Sequence, residues 1–83
     1  MKKVLLKKKA EKDLRKLEKD ARDRIVKKLI DLGQDPYIGK ALQGEYNSYF
    51  SLRSWPYRII YTIGKKEIII HSIRHRQGSY KKP

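Results

Sequence analysis

Arg58, Arg74, Arg76, His75 and Tyr80, all in the last third of the chain, are residues that could do chemistry on a phosphate. A guanidinium presents a planar fork of donors that matches two phosphate oxygens, and it stays charged at any physiological pH. Arg58 alternates with Tyr57, Ile59, Tyr61 and Ile63, so in a strand it points away from the more apolar side. What lies opposite depends on the turn at Gly64-Lys65-Lys66. A three-residue loop sets Thr62 against Ile68, Ile60 against Ile70 and Arg58 against Ser72, and it carries Arg74 and Arg76 to the side of Arg58. A two-residue loop slips the register by one and brings His71 and His75 there instead. The first register is the expected one, because it keeps Arg74 and Arg76 off the apolar face. Either way a basic cluster forms on the side turned away from the core. Arginines so placed also protect a sheet edge from aggregation. The chemical alternative is a phosphate cradle, with Tyr49, Trp55, Tyr57 and Tyr80 placed to stack on unpaired bases.

His71, inside a strand, reads as structural, whereas His75 between Arg74 and Arg76 is a candidate proton shuttle. Two histidines with no carboxylate at ligand spacing and no cysteine make neither a metal site nor a redox centre, so no metal and no cofactor are expected. Ser-His-Asp arrangements, phosphate-binding glycine loops and paired catalytic carboxylates are also missing from the sequence.

Charge points the same way. The 83 residues carry a formal net charge of +13, which attracts polyanions. Seven of the nine acids lie in residues 1–35, where helical spacing lets them pair with lysines. From residue 36 onward, only Glu45 and Glu67 oppose Lys40, Arg53, Arg58, Lys65, Lys66, Arg74, Arg76, Lys81 and Lys82. Lys40, Tyr49, Arg53, Arg74, Lys81 and Lys82 are therefore the candidate RNA contacts. Membrane insertion is not expected, because no apolar run approaches the ~20 residues a span needs. The stretch Lys2 to Lys9 has too short an apolar centre for a signal peptide. A cytoplasmic location fits.

The elements that must position these residues follow from periodicity. Val4-Leu5-Leu6 reads as a short strand. Ala10, Leu14, Leu17 and Ala21 repeat at helical spacing, and Ile25, Val26, Leu29, Ile30 and Leu32 widen the stripe. Acid-first pairs Glu11–Arg15, Asp20–Arg24 and Asp23–Lys27 suit the opposite face. A helical hairpin is expected to break near residues 18–20, with Asp20 capping the second helix and Gly33 ending it. A loop follows from Gln34 to Asn47. The period then changes to two over residues 49–53, 57–63 and 67–73. The expected fold is α+β, in the order β-α-α-β-β-β: a helical hairpin on one face of a small antiparallel sheet, as one domain over 1–83.

That order, together with Ala10-Glu11-Lys12-Asp13-Leu14-Arg15-Lys16-Leu17, Asp35-Pro36, Gly39-Lys40-Ala41-Leu42-Gln43-Gly44, Leu52-Arg53, Tyr57-Arg58-Ile59-Ile60-Tyr61 and the ending His75-Arg76 with Tyr80, resembles the RelE/ParE toxin superfamily, in its RelE-like branch. The resemblance implies a type II toxin that enters the ribosomal decoding site and cleaves messenger RNA there. A ribose 2′-oxygen would attack the adjacent phosphate without a metal, and a cognate acidic RelB-like antitoxin would silence the toxin. It assigns Arg58 to transition-state charge, Arg76 to the phosphate or leaving group, and Tyr80 to the 2′-hydroxyl or the base. Where relatives carry two lysines on the second strand, this chain has Tyr49 and Ser51. Where other branches have a loop glutamate, it has Lys40. The general base stays open, with Glu45 as one candidate. Two other readings stay open as well: a ParE-like poison of DNA gyrase, and a nucleic-acid-binding module without catalysis.

Overall fold

The pattern of apolar residues changes from a helical period to a period of two beyond the helix pair. In the computed structural model, which describes residues 2–44 and 48–76, the elements run β1 (Lys3–Leu6), α1 (Lys8–Arg15), α2 (Lys19–Gln34), β2 (Lys40–Ala41), β3 (Phe50–Ser54), β4 (Tyr57–Ile63) and β5 (Glu67–His75). The strands form one open mixed sheet in the order β1-β5-β4-β3-β2. Strands β2 to β5 make an antiparallel meander, and β1 lies parallel beside β5. The helix pair covers one face, which is the expected α+β arrangement. The short strand β2 falls within the segment expected to be loop. It forms because Lys40 and Ala41 pair with Ser51 and Phe50 along an otherwise open edge.

Ala10, Ile25, Leu29 and Leu32 from the helices meet Leu52, Ile59, Tyr61, Ile68, Ile70 and Ile73 from the sheet. Each large aliphatic chain buried here contributes about 1.5–3 kcal/mol. The link between the helices falls at residues 16–18, where the Lys16 and Leu17 N–H groups bond back to Asp13 and Leu14 carbonyls in a tightened last turn. The helix then restarts earlier than expected. Its N-cap is Glu18, in extended conformation and without a side-chain capping bond. Asp20 falls inside the first turn, where its charge meets the positive end of the helix dipole.

Gly33 does not end α2, which continues to Gln34 before Asp35 turns extended ahead of Pro36. Gly33 is buried, and its carbonyl accepts the Lys2 N–H at 2.9 Å, fixing the entry into β1. Of the expected ion pairs only Glu11–Arg15 forms among the described residues, at 3.9 Å. Asp23 and Asp13 instead take the lysine four residues before them, Lys19 and Lys9, each at 3.1 Å. Asp13 has a second task. Its carboxylate, only 14% exposed, accepts the Ile73 N–H at 3.0 Å, on the stretch of β5 that β1 no longer covers.

Candidate nucleic-acid interface

The register of β4 against β5 decides which side chains meet on the face the helices leave open. At the turn, Ile63 pairs with Ile68, and the Gly64 N–H closes the loop onto the Glu67 carbonyl at 2.7 Å. Thr62 therefore faces Ile69, one residue off the expected pairing with Ile68. A β-bulge at Ile60/Tyr61 then shifts the register by one more, so that Arg58 faces Arg74 rather than Ser72. Two single-residue shifts cancel in parity, so Arg58 and Arg74 share a face after all. Alternation from Ile70 puts His71 on the open side, and the bulge then repeats that side at Ser72. Ile68 and Ile70 point into the core before the bulge and Ile73 after it.

Arg53 faces Arg58 across β3 and β4, and Arg58 faces Arg74, so three guanidinium-bearing positions lie in one line across three strands. Adjacent strands lie about 4.8 Å apart, so the line spans roughly 10 Å. The next row holds Ser51, Ile60 and Ser72, with Lys40 opposite Ser51 at the β2 edge. A cleft of about 550 Å³ is lined by Lys40, Arg53 and Arg58 among others. A second, of about 450 Å³, is lined by Lys9, Tyr49, Ile60, His71 and Arg74. Arg74 is tethered by an Nε–H bond to Ser72 Oγ at 3.2 Å. Beyond the arginine line, the Arg76 N–H donates to the Pro56 carbonyl at 2.7 Å, and its guanidinium lies 4.9 Å over the exposed Trp55 ring. Trp55 and Pro56, joined by a cis peptide, form the two-residue turn from β3 to β4.

Lys40, Tyr49, Arg53, Arg58, Arg74 and Arg76 thus gather on or beside one face. His75 does not join them. It pairs with Tyr57, and the two rings meet edge-on with centroids 5.3 Å apart, on the side that packs toward the helices. Glu45, Tyr80, Lys81 and Lys82 lie outside the described residues. His71, expected to be structural, lies on the open face, as the two-residue loop would place it. Its Nε2 lies 2.9 Å from Thr62 Oγ1, and its ring is 4.9 Å from that of Tyr49. Burial lowers its pKa, and Lys7 adds to that. The signal for it is the alternation Ile68-Ile69-Ile70 read in the two-residue-loop register.

The loop leading to β2 is held by a single phenol. Tyr61, fully buried, donates its hydroxyl to the Pro36 carbonyl at 2.8 Å and accepts the Gly39 N–H at 3.1 Å. Burial pushes this phenol's pKa up; the Gly39 N–H acts against that, and nearby Asp35 adds to the rise. A β-carbon on Gly39 would come 2.5 Å from the Tyr61 hydroxyl and 2.9 Å from the Ser51 carbonyl, so only glycine fits. That contact sets Lys40 at the rim of the first cleft.

No helix among the described residues is long and apolar enough to cross a membrane. No curated protein matches the sequence at a significant level. Among solved structures, a chain of the RelBE2 toxin–antitoxin complex from Mycobacterium tuberculosis is 30% identical, with a TM-score of 0.84 over 90% of this chain and 98% of that one. The isolated RelE toxin of E. coli is 23% identical, with a TM-score of 0.79 over 90% of this chain and 84% of that one. A chain of the chromosomal ParDE system of P. aeruginosa is 22% identical, with a TM-score of 0.73 over 90% and 96%. The last two share the fold. The model of the ParE toxin of type II toxin-antitoxin systems matches residues 4–80, nearly the whole chain, and with it the chain belongs to that family, as a toxin of the RelE/ParE superfamily.

Proposed function

We propose that the chain is a single toxin domain over residues 1–83 that acts in the cytoplasm as an endoribonuclease, cutting messenger RNA in the ribosomal decoding site and so halting translation. The observation that carries this reading is the line Arg53–Arg58–Arg74 on the uncovered face, with Arg76 braced beside it on Trp55. The nucleophile belongs to the substrate: a ribose 2′-oxygen attacks the adjacent phosphorus, the bond to the 5′-oxygen breaks, and a cyclic phosphate remains. The protein's share is to hold the reacting groups in line and to stabilise charge gathering on the phosphate, which needs no metal. Arg58 takes the transition-state charge, and Arg76 binds the phosphate or assists the leaving oxygen. Tyr80, outside the described residues, orients the 2′-hydroxyl or stacks on the base. Lys40, Arg53, Arg74, Lys81 and Lys82 hold flanking phosphates, and Tyr49 takes a base. A surface of charge +13 also suits an acidic RelB-like antitoxin as the partner that silences it.

The match to the ParE model favours a second reading, a gyrase poison that is not a nuclease. One experiment separates the two. Added to a translating extract, the protein should give codon-positioned cuts with cyclic phosphate ends, lost in Arg76→Ala. Intact messages together with inhibited gyrase support the second reading, and no effect in either assay supports a binding module without catalysis.

A further inference from the structure

The ribonuclease reading leaves the 2′-hydroxyl proton without an acceptor among the described residues so far named, because an arginine that stays charged cannot take it. On that reading, we propose that His71 is the catalytic base, receiving the 2′-hydroxyl proton from a ribose seated in the cleft lined by Lys9, Tyr49, Ser72 and Arg74.

The geometry carries this. Alternation from the core residues Ile68 and Ile70 puts His71 on the open face, and the bulge then carries Ser72 and Arg74 onto the same face beside it. Ile60 faces Ser72 and lines the same cleft, and Arg58 lies one same-face step, about 7 Å, further along β4. A phosphodiester lying over Ile60 has the imidazole and Arg74 in its own cleft, and Arg58 lines the neighbouring one. The ring is held from two directions, by Thr62 Oγ1 at Nε2 and by the Tyr49 ring against its side. With Nε2–H given to Thr62, Nδ1 keeps the lone pair that accepts a proton.

Burial is the first reason the imidazole stays neutral, and cations add to it. The one carboxylate nearby among the described residues, Asp13 of α1, is taken by Lys9 and the Ile73 N–H. Lys7 approaches from the link between β1 and α1, Lys9 from α1 and Arg74 from β5 itself, while Tyr49 and Thr62 are uncharged neighbours. Such surroundings keep the imidazole neutral, the form a base needs. The step balances. The 2′-oxygen loses its proton to Nδ1 and forms the bond to phosphorus, the 5′-oxygen leaves with the electron pair of its bond, and a proton from the imidazolium or from water completes it. The products are a 2′,3′-cyclic phosphate and a 5′-hydroxyl.

The test is single-turnover cleavage on ribosomes stalled with a messenger, from about pH 5 to 8, using the intact chain, His71→Gln and Thr62→Val. His71→Gln should lower the rate by about 10²-fold or more and abolish the acidic limb that the intact chain shows. Thr62→Val, which leaves the imidazole in place, should move the midpoint of that limb. If the intact chain cuts and His71→Gln cuts within a factor of about two with the same pH profile, the assignment is overturned and the ribonuclease reading stands. If His71→Gln does not fold, an unmoved limb in Thr62→Val overturns it. If the intact chain does not cut at all, both fall together.

Discussion

Arg58 on β4 faces Arg74 on β5 directly, and Arg53 on β3 faces Arg58 from the other side. Like charges opposite one another on a sheet are destabilising by roughly 0.2–1 kcal/mol per pair. A chain that keeps three in line is holding charge where folding alone does not favour it, which is what a polyanion site requires.

Arg53→Thr should therefore stabilise the protein while weakening its grip on RNA. It removes one like-charge pair and keeps a strand-forming residue at an exposed position. Thermal melts should rise by a few degrees, about what 0.2–1 kcal/mol gives a domain of this size. The salt dependence of single-strand binding should flatten by about 0.7 in slope, one phosphate's worth. A lower melting temperature with unchanged salt slope is the contrary outcome.

The Tyr61–Gly39 contact supports the rim of the first cleft. Tyr61→Phe leaves the part-buried Pro36 carbonyl and Gly39 N–H without that partner and should cost about 0.5–1.5 kcal/mol in urea unfolding. Gly39→Ala should cost more, since its β-carbon meets backbone as well as side chain. An alanine variant as stable as the parent would mean the loop is not seated on Tyr61.

Asp13 and Lys9 form an ion pair, but the energy lies elsewhere. Lys9 is 65% exposed, so Lys9→Ala should cost well under about 1 kcal/mol. Asp13→Ala strips the Ile73 N–H of its acceptor and loosens α1 from β5, and should cost about 1.5–3 kcal/mol. Equal losses in the two variants would show that the salt bridge, not the backbone bond, holds the helix.

His71 also makes stability depend on pH. Its pKa in the folded chain lies below its ordinary 6.5, first through burial and then through Lys7. Between the two values the unfolded chain binds more protons, so this contribution is complete above about 6.5 and is lost as pH falls through the lowered value. His71→Gln should lose less stability than the parent on acidification over that range. Equal slopes would contradict the burial of the ring.

The helix pair and the meander were legible because their periods, 3.6 and 2, are written in residues such as Ala21, Ile25, Leu29 and Leu32, and Ile59, Tyr61 and Ile63. The expectation that Arg58 and Arg74 share a face holds only because two departures cancel. The turn takes the register of the two-residue loop, not the preferred three-residue one, and a bulge opposite Ile60 adds a second shift that leaves no mark on alternation. Gly33 misled for a related reason. A glycine near a helix end reads as a stop, whereas here it sits within α2, with its carbonyl bonded to the Lys2 N–H. His71 reads as a strand filler when the three-residue loop is preferred, whereas the turn takes the register of the two-residue loop.

If the uncovered face acts on a phosphodiester, cleavage depends on Arg58. On ribosomes stalled with a messenger, the intact protein should leave cyclic phosphate ends at codon positions. Arg58→Ala, folded and still bound to its antitoxin, should leave the message whole. Full cleavage by that variant, or an uncut message with gyrase inhibited by the intact chain, contradicts the account.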